Sequence, residues 1–138
     1  MAEYTDNSRI IRHIQDVLAT QSSLRIAYLY GSFLRTGDFR DIDIALLIDD
    51  EPGRQDASRL AAAMGTRLEE ALGFLHECDV RVLNDAPAWF KYETISTGIP
   101  VYVRDNDDRI DFETGLLVEY QDIRFMYDQF DREYLARV

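Results

Sequence analysis

The chain holds a single cysteine, Cys78. An internal disulfide is therefore excluded, and a reducing, cytoplasmic setting is the natural expectation. Bases are also few: 15 Lys and Arg stand against 26 Asp and Glu, for a net charge of −11. A nucleic-acid surface needs a basic patch to neutralise phosphates, so direct nucleic-acid binding is not expected. The imbalance suits a basic partner, or a site that uses bound cations. The two histidines, His13 and His76, have no companions at ligand spacing, which argues against zinc. No apolar run approaches the ~20 residues that span a bilayer. Met1 to Asp6 lacks the basic and apolar regions of a signal peptide. There is no internal repeat and no low-complexity tract.

What remains is ample for a core. The chain is 46% hydrophobic and 12% aromatic, over a length expected of one domain, residues 1–138. Asn7 or Ser8 is placed to cap a first helix, in which Ile10, Ile14, Val17 and Leu18 recur at helical spacing before Gln21-Ser22-Ser23. Leu24 to Tyr30 reads as a strand. A short helix is expected at Phe33 to Arg35, and a second strand from Ile42 to Ile48 is apolar on both faces, as a covered central strand should be. Pro52 and its neighbouring acids suit the start of a long helix, whose apolar face runs from Ala57 through Leu60, Met64 and Leu68 to Leu72, with Gly73 as its stop. Cys78 to Leu83 is a third strand. Trp89, Phe90, Tyr92 and Ile95 mark a helix that ends at Gly98. Pro100 within Ile99 to Val103 favours an edge strand.

The last helix is expected from about Arg109, capped by the acids of Asp105 to Asp108. Leu116, Tyr120, Ile123, Tyr127, Phe130 and Tyr134 alternate in steps of four and three, the pattern of one buried stripe. Phe125 falls on the opposite side by the ~100° per residue rule. With Leu117 and Met126 on its flanks, this helix carries enough apolar surface to serve as an interface in a homo- or hetero-oligomer, as well as a cap on the core. The order of elements predicts an α/β or α+β domain, a mixed sheet with helices packed against it and a long C-terminal helix.

Chemistry concentrates between Gly31 and Asp43. A strand runs into Gly31-Ser32, and the next strand opens on Asp41-Ile42-Asp43. Side chains alternate along a strand, so Asp41 and Asp43 point the same way. Carboxylates that close repel unless a cation lies between them. Gly31 lets the backbone approach a phosphate closely, and Ser32 offers a hydroxyl and an N–H at a helix start. Magnesium takes one or two carboxylates together with phosphate oxygens and water. Two such ions would hold a triphosphate and an attacking hydroxyl in line. Asp79, on a later strand, is the candidate third carboxylate, either beside the second metal or as a base.

This constellation resembles the nucleotidyltransferase superfamily that includes DNA polymerase beta: Gly31-Ser32, then Asp41-Ile42-Asp43, then Asp79. It is most similar to the minimal nucleotidyltransferases, the MNT antitoxins paired with HEPN-domain ribonuclease toxins. The segment Phe33 to Arg40 is shorter than usual there, and Arg40 stands where Ser or Thr is common. The resemblance implies Mg2+-dependent transfer of AMP from ATP to a tyrosine hydroxyl of the toxin, which blocks its RNA cleavage. It further implies that Asp41, Asp43 and Asp79 serve the metals and the chemistry, while Gly31, Ser32 and Arg35 hold the phosphates.

Asp-x-Asp alone is more often a solvated pair than a metal site. Arg35 alone reads equally well as an ordinary surface charge, and Cys78 as a small buried residue. Two other functions fit the same residues. One is an antitoxin that acts by binding alone, through its last helix. The other is a small-molecule nucleotidyltransferase of the antibiotic-modifying type, for which the chain is short of an acceptor domain unless it dimerises.

Overall fold

A computed structural model describes residues 2–31, 41–50 and 54–136. The order is α1 (Ala2–Leu18), β1 (Leu24–Tyr30), β2 (Asp41–Ile48), α2 (Arg54–Ala71), β3 (Glu77–Val82), α3 (Ala88–Thr97), β4 (Ile99–Val103) and α4 (Asn106–Ala136). The strands form one sheet in the order β3-β2-β1-β4. β1 pairs antiparallel with both β2 and β4, whereas β2 and β3 run parallel across the α2 crossover. The sheet is therefore mixed, with β4 and its Pro100 on an edge. The short helix expected at Phe33 to Arg35 lies outside the described residues.

The sheet is covered on both faces. On one, Ile14 and Leu18 of α1 and Met64, Leu68 and Leu72 meet Leu29, Ile42, Ile44, Leu46 and Ile48 in the main core. On the other, Ile26, Tyr28, Ala45, Leu47 and Leu83 form a smaller core against Phe90 and Ile95 of α3 and Phe112 of α4. Alternation along β2 sends Ile42, Ile44 and Leu46 to the first and Ala45 and Leu47 to the second, which is why the strand reads as continuously apolar.

Several boundaries differ from the sequence expectation; β2, for one, opens at Asp41 and not Ile42. α1 begins at Ala2, so Asn7 and Ser8 lie within it rather than capping it. Good helix formers such as Ala2 and Glu3 precede them, and an interior Asn or Ser costs a helix only a few tenths of a kcal/mol. β3 starts at Glu77 and ends at Val82, although the Leu83 N–H still reaches the Leu46 carbonyl at 2.7 Å. α4 starts at Asn106, not Arg109, because Asp105 alone takes the cap: its Oδ1 accepts from the Asp107 N–H at 2.9 Å.

Among the described residues, the ties from α4 to the rest of the domain gather in its first half. Its Asp108 receives two hydrogen bonds from Arg25 of β1, at 2.8 and 2.6 Å. Its Glu113 accepts from the buried Tyr28 hydroxyl at 2.8 Å. The Tyr120 ring stacks on Tyr92 of α3, with centroids 3.9 Å apart. Leu116 is buried and Tyr120 and Ile123 are half-buried, but Tyr127 and Phe130, expected in the same buried stripe, are exposed. The ten-residue α3 ends the layer on which a 31-residue helix could rest.

The Tyr28 hydroxyl is worth testing because it joins the sheet to α4 from inside the core. Tyr28→Phe should lower the urea unfolding free energy by about 1.5–3 kcal/mol without changing the slope, the usual effect of deleting a hydrogen bond to a charged acceptor.

Candidate active site

Two pairings bring the acids together. The antiparallel β1–β2 ladder sets Tyr30 opposite Asp43, and the parallel β2–β3 ladder sets Asp43 opposite Asp79. Tyr30, Asp43 and Asp79 thus form one row across three strands ~4.8 Å apart. Asp41 lies two residues along β2 on the same face and is exposed, opposite Glu77. This is the face of Ala45 and Leu47, covered further along by α3 and α4. Asp79 and Arg81 are exposed there, and the row opens to solvent.

Gly31 closes the row at the end of β1. Its φ is +87°, a backbone conformation that favours glycine, and a Cβ at this position would collide with Oδ2 of Asp43. The backbone therefore lies directly against the carboxylate. Ser32 and Arg35, expected beside it, lie outside the described residues.

The electrostatics follow from the geometry. Burial pushes the Asp43 carboxyl above the ordinary range, and the charges of Asp79 and Asp41 push it further, against the pull of Arg81. Burial, helped by the Asp43 charge, pushes Tyr30 up to about 12, so it stays a neutral hydroxyl. Asp79 is partnered instead: Arg81 Nε lies 3.3 Å from its Oδ2. The Arg81 guanidinium stands 5.8 Å from the ring centroid of Phe90, and Phe90 meets Tyr30 edge-on at 5.7 Å. Arg81, Tyr30 and Phe90 were not singled out from sequence. Arg81 was legible, being two residues beyond Asp79 on the same strand face. Phe90 arrives only through the packing of α3.

Asp41 and Asp43 form a pair of hard oxygen donors whose repulsion a divalent cation would relieve, and the pair fits Mg2+ completed by phosphate oxygens and water. Among the described residues no group of three His, Cys, Asp or Glu is placed to hold one ion, and Asp79 faces Arg81. A cleft of about 670 Å3 lies beside the row, between α2 and the far ends of β2 and β3, lined by Ile48, Ala61, Val82 and also Arg81.

Residues 12–107 match the family model described as polymerase beta, nucleotidyltransferase. No curated protein sequence matches the chain significantly. Solved structures do resemble it. A toxin–antitoxin with AMP-PNP has a chain with 21% identity and a TM-score of 0.68, covering 91% of this chain and 98% of its own. The toxin–antitoxin MntA-HepT has one at 19% and 0.67, covering 93% and 98%. A complex of a tri-AMPylated Shewanella oneidensis HEPN toxin with MNT antitoxin has one at 20% and 0.61, covering 96% and 98%. The likeness supports the fold described above. Among the described residues no helix is long and apolar enough to cross a membrane.

Two substitutions probe the row. A carboxyl whose folded-state pKa is raised disfavours the folded state while it is charged, and that penalty fades as pH falls through the raised value. Asp43→Asn in EDTA should therefore melt at or above the parent at pH 7, with the gap closing as pH is lowered into the carboxylate range. Gly31→Ala should instead destabilise by more than about 1 kcal/mol in urea, since both its φ and its space exclude a side chain.

Proposed function

The chain belongs to the polymerase beta nucleotidyltransferase family, and from that premise we propose that it is an antitoxin that transfers AMP from ATP to a tyrosine hydroxyl of a cognate HEPN ribonuclease toxin, neutralising it. The observation that carries this reading is the row of Asp43 and Asp79 beside Asp41, open to solvent on one face of the sheet. An open row admits a side chain presented by another protein. The structures most relevant in kind are toxin–antitoxin complexes, one with AMP-PNP and one whose HEPN toxin is tri-AMPylated.

In the proposed reaction the tyrosine oxygen attacks the α-phosphorus of ATP. The bond from that phosphorus to the oxygen bridging to the β-phosphate breaks, and pyrophosphate leaves. Asp41 and Asp43 would hold Mg2+, with Asp79 beside a second ion, and the metal would neutralise charge on the triphosphate and on the leaving pyrophosphate. Asp79 accepts the proton of the attacking hydroxyl, and Arg81 fixes its carboxylate in direction. Gly31 keeps the backbone against Asp43, and in this reading Ser32 and Arg35 would join it in binding the phosphates. Tyr30, neutral and edge-on to Phe90, bounds the row on the β1 side. The chain's charge of −11 suits a toxin that binds RNA through a basic face.

Incubation with magnesium, ATP labelled on the α-phosphate and a HEPN toxin of the kind seen in those complexes tests the reading. Label should move to a toxin tyrosine, and Asp41→Asn or Asp43→Asn should each reduce the rate by at least about a hundredfold. Binding without label from any nucleotide would leave an antitoxin that acts by occupancy alone. Label on an aminoglycoside instead would place the chain with the small-molecule enzymes.

A further inference from the structure

We propose that the solvent-exposed C-terminal part of α4 is a docking handle, and that its occupant is a basic partner protein with an apolar groove. This rests on the antitoxin reading above, in which that partner is the toxin. At 31 residues α4 is about 46 Å long. Its fastened part ends near Ile123, and each side chain described from Arg124 to Glu133 is exposed. Within that stretch Met126, Tyr127 and Phe130 are 69%, 68% and 65% exposed. With Ile123 they stand at i, i+3, i+4 and i+7, the spacing by which an amphipathic helix enters a groove. The stripe continues the line of Leu116, Tyr120 and Ile123, which is packed on the domain, so the apolar face is unbroken where the support stops. Single exposed apolar side chains are ordinary, but a continuous stripe of them marks an interaction surface.

Charge selects the occupant. By the ~100° per residue rule, Asp122 and Glu133 flank the stripe on one side and Asp131 on the other, with Arg124 near that second edge. A second copy would bring the same acidic rim, and the same net −11, against its own likeness. Like charges placed across an interface are a means of rejecting a partner, whereas a basic rim would be attracted. The surface thus disfavours self-pairing and fits a basic protein. Phe125, 65% exposed on the opposite side of the helix, is an internal control for general stickiness.

The test is calorimetric titration of the same purified HEPN toxin, without nucleotide, so that affinity is read apart from AMP transfer. Met126→Lys with Tyr127→Ser should weaken binding at least about tenfold, and Phe125→Ser less than about threefold. Raising salt should weaken the parent's binding. Circular dichroism should show the helix retained in each variant, since none of these side chains is in the core. Unchanged affinity in the double variant overturns the proposal, as does a parent that binds no toxin. A stable dimer of the chain alone by light scattering, made monomeric by the double variant, overturns it in favour of a second copy. Label transfer with an unimpaired double variant removes the handle and leaves the enzyme; lost binding in a protein that never transfers label does the reverse.

Discussion

Two negative charges in adjacent places on a sheet are the constraint that shapes this protein. Asp43 and Asp79 are paired in register, and Asp41 is close by on the same face. In a folded chain such a cluster survives only if something compensates it. Arg81 compensates Asp79 directly. Asp43 has no such ion pair among the described residues, and burial with the charges of Asp79 and Asp41 pushes its carboxyl above the ordinary range. The surrounding structure is arranged to bear this: a central strand, buried from Ile44 to Ile48, holds the acids in line, a glycine yields the space beside Asp43, and Phe90 steadies the arginine from α3. A site that is mildly unfavourable when empty of cations is a site suited to recruiting them.

Much of this was legible before any coordinates. The two-residue period of a strand places Asp41 and Asp43 on one face, and the punctuation by Gly31, Gly73 and Gly98 divides the chain at nearly the right places. What could not be read was register. Nothing in the sequence says that Asp43 sits opposite Asp79 and not two residues away. That depends on how α2 returns the chain to the sheet. Phe90 was legible as helix core but not as the rest for Arg81, because that contact belongs to the angle between α3 and β3. The acids before α4 all looked like caps, and only the hydrogen bond from the Asp107 N–H distinguishes Asp105. The repeating stripe of α4 was visible in full, but where its support ended was not, since periodicity reports which face is apolar and not how far a neighbour extends.

The two ends of α4 do different things. Near its start, Arg25–Asp108 and Tyr28–Glu113 tie it to β1, the strand that delivers Gly31 to the site. Further on, from Arg124 to Glu133, its described side chains are exposed. One continuous helix thereby joins the rigid part of the domain to its least covered surface, and a helix transmits position along its axis with little loss, because its backbone hydrogen bonds are internal.

The placement of β4 has a bearing on how the chain comes to be folded. β1 lies between β2 and β4, so one of its edges is completed by residues that follow almost the whole of the sheet in sequence. As the polypeptide leaves the ribosome, the hairpin of β1 and β2 can pair first, but the other edge of β1, with Ile26 and Leu29 along it, stays open until Ile99–Val103 have emerged. An open apolar edge is a template for pairing with other chains. The interval before β4 arrives is thus the period when the nascent chain is most exposed to misassembly.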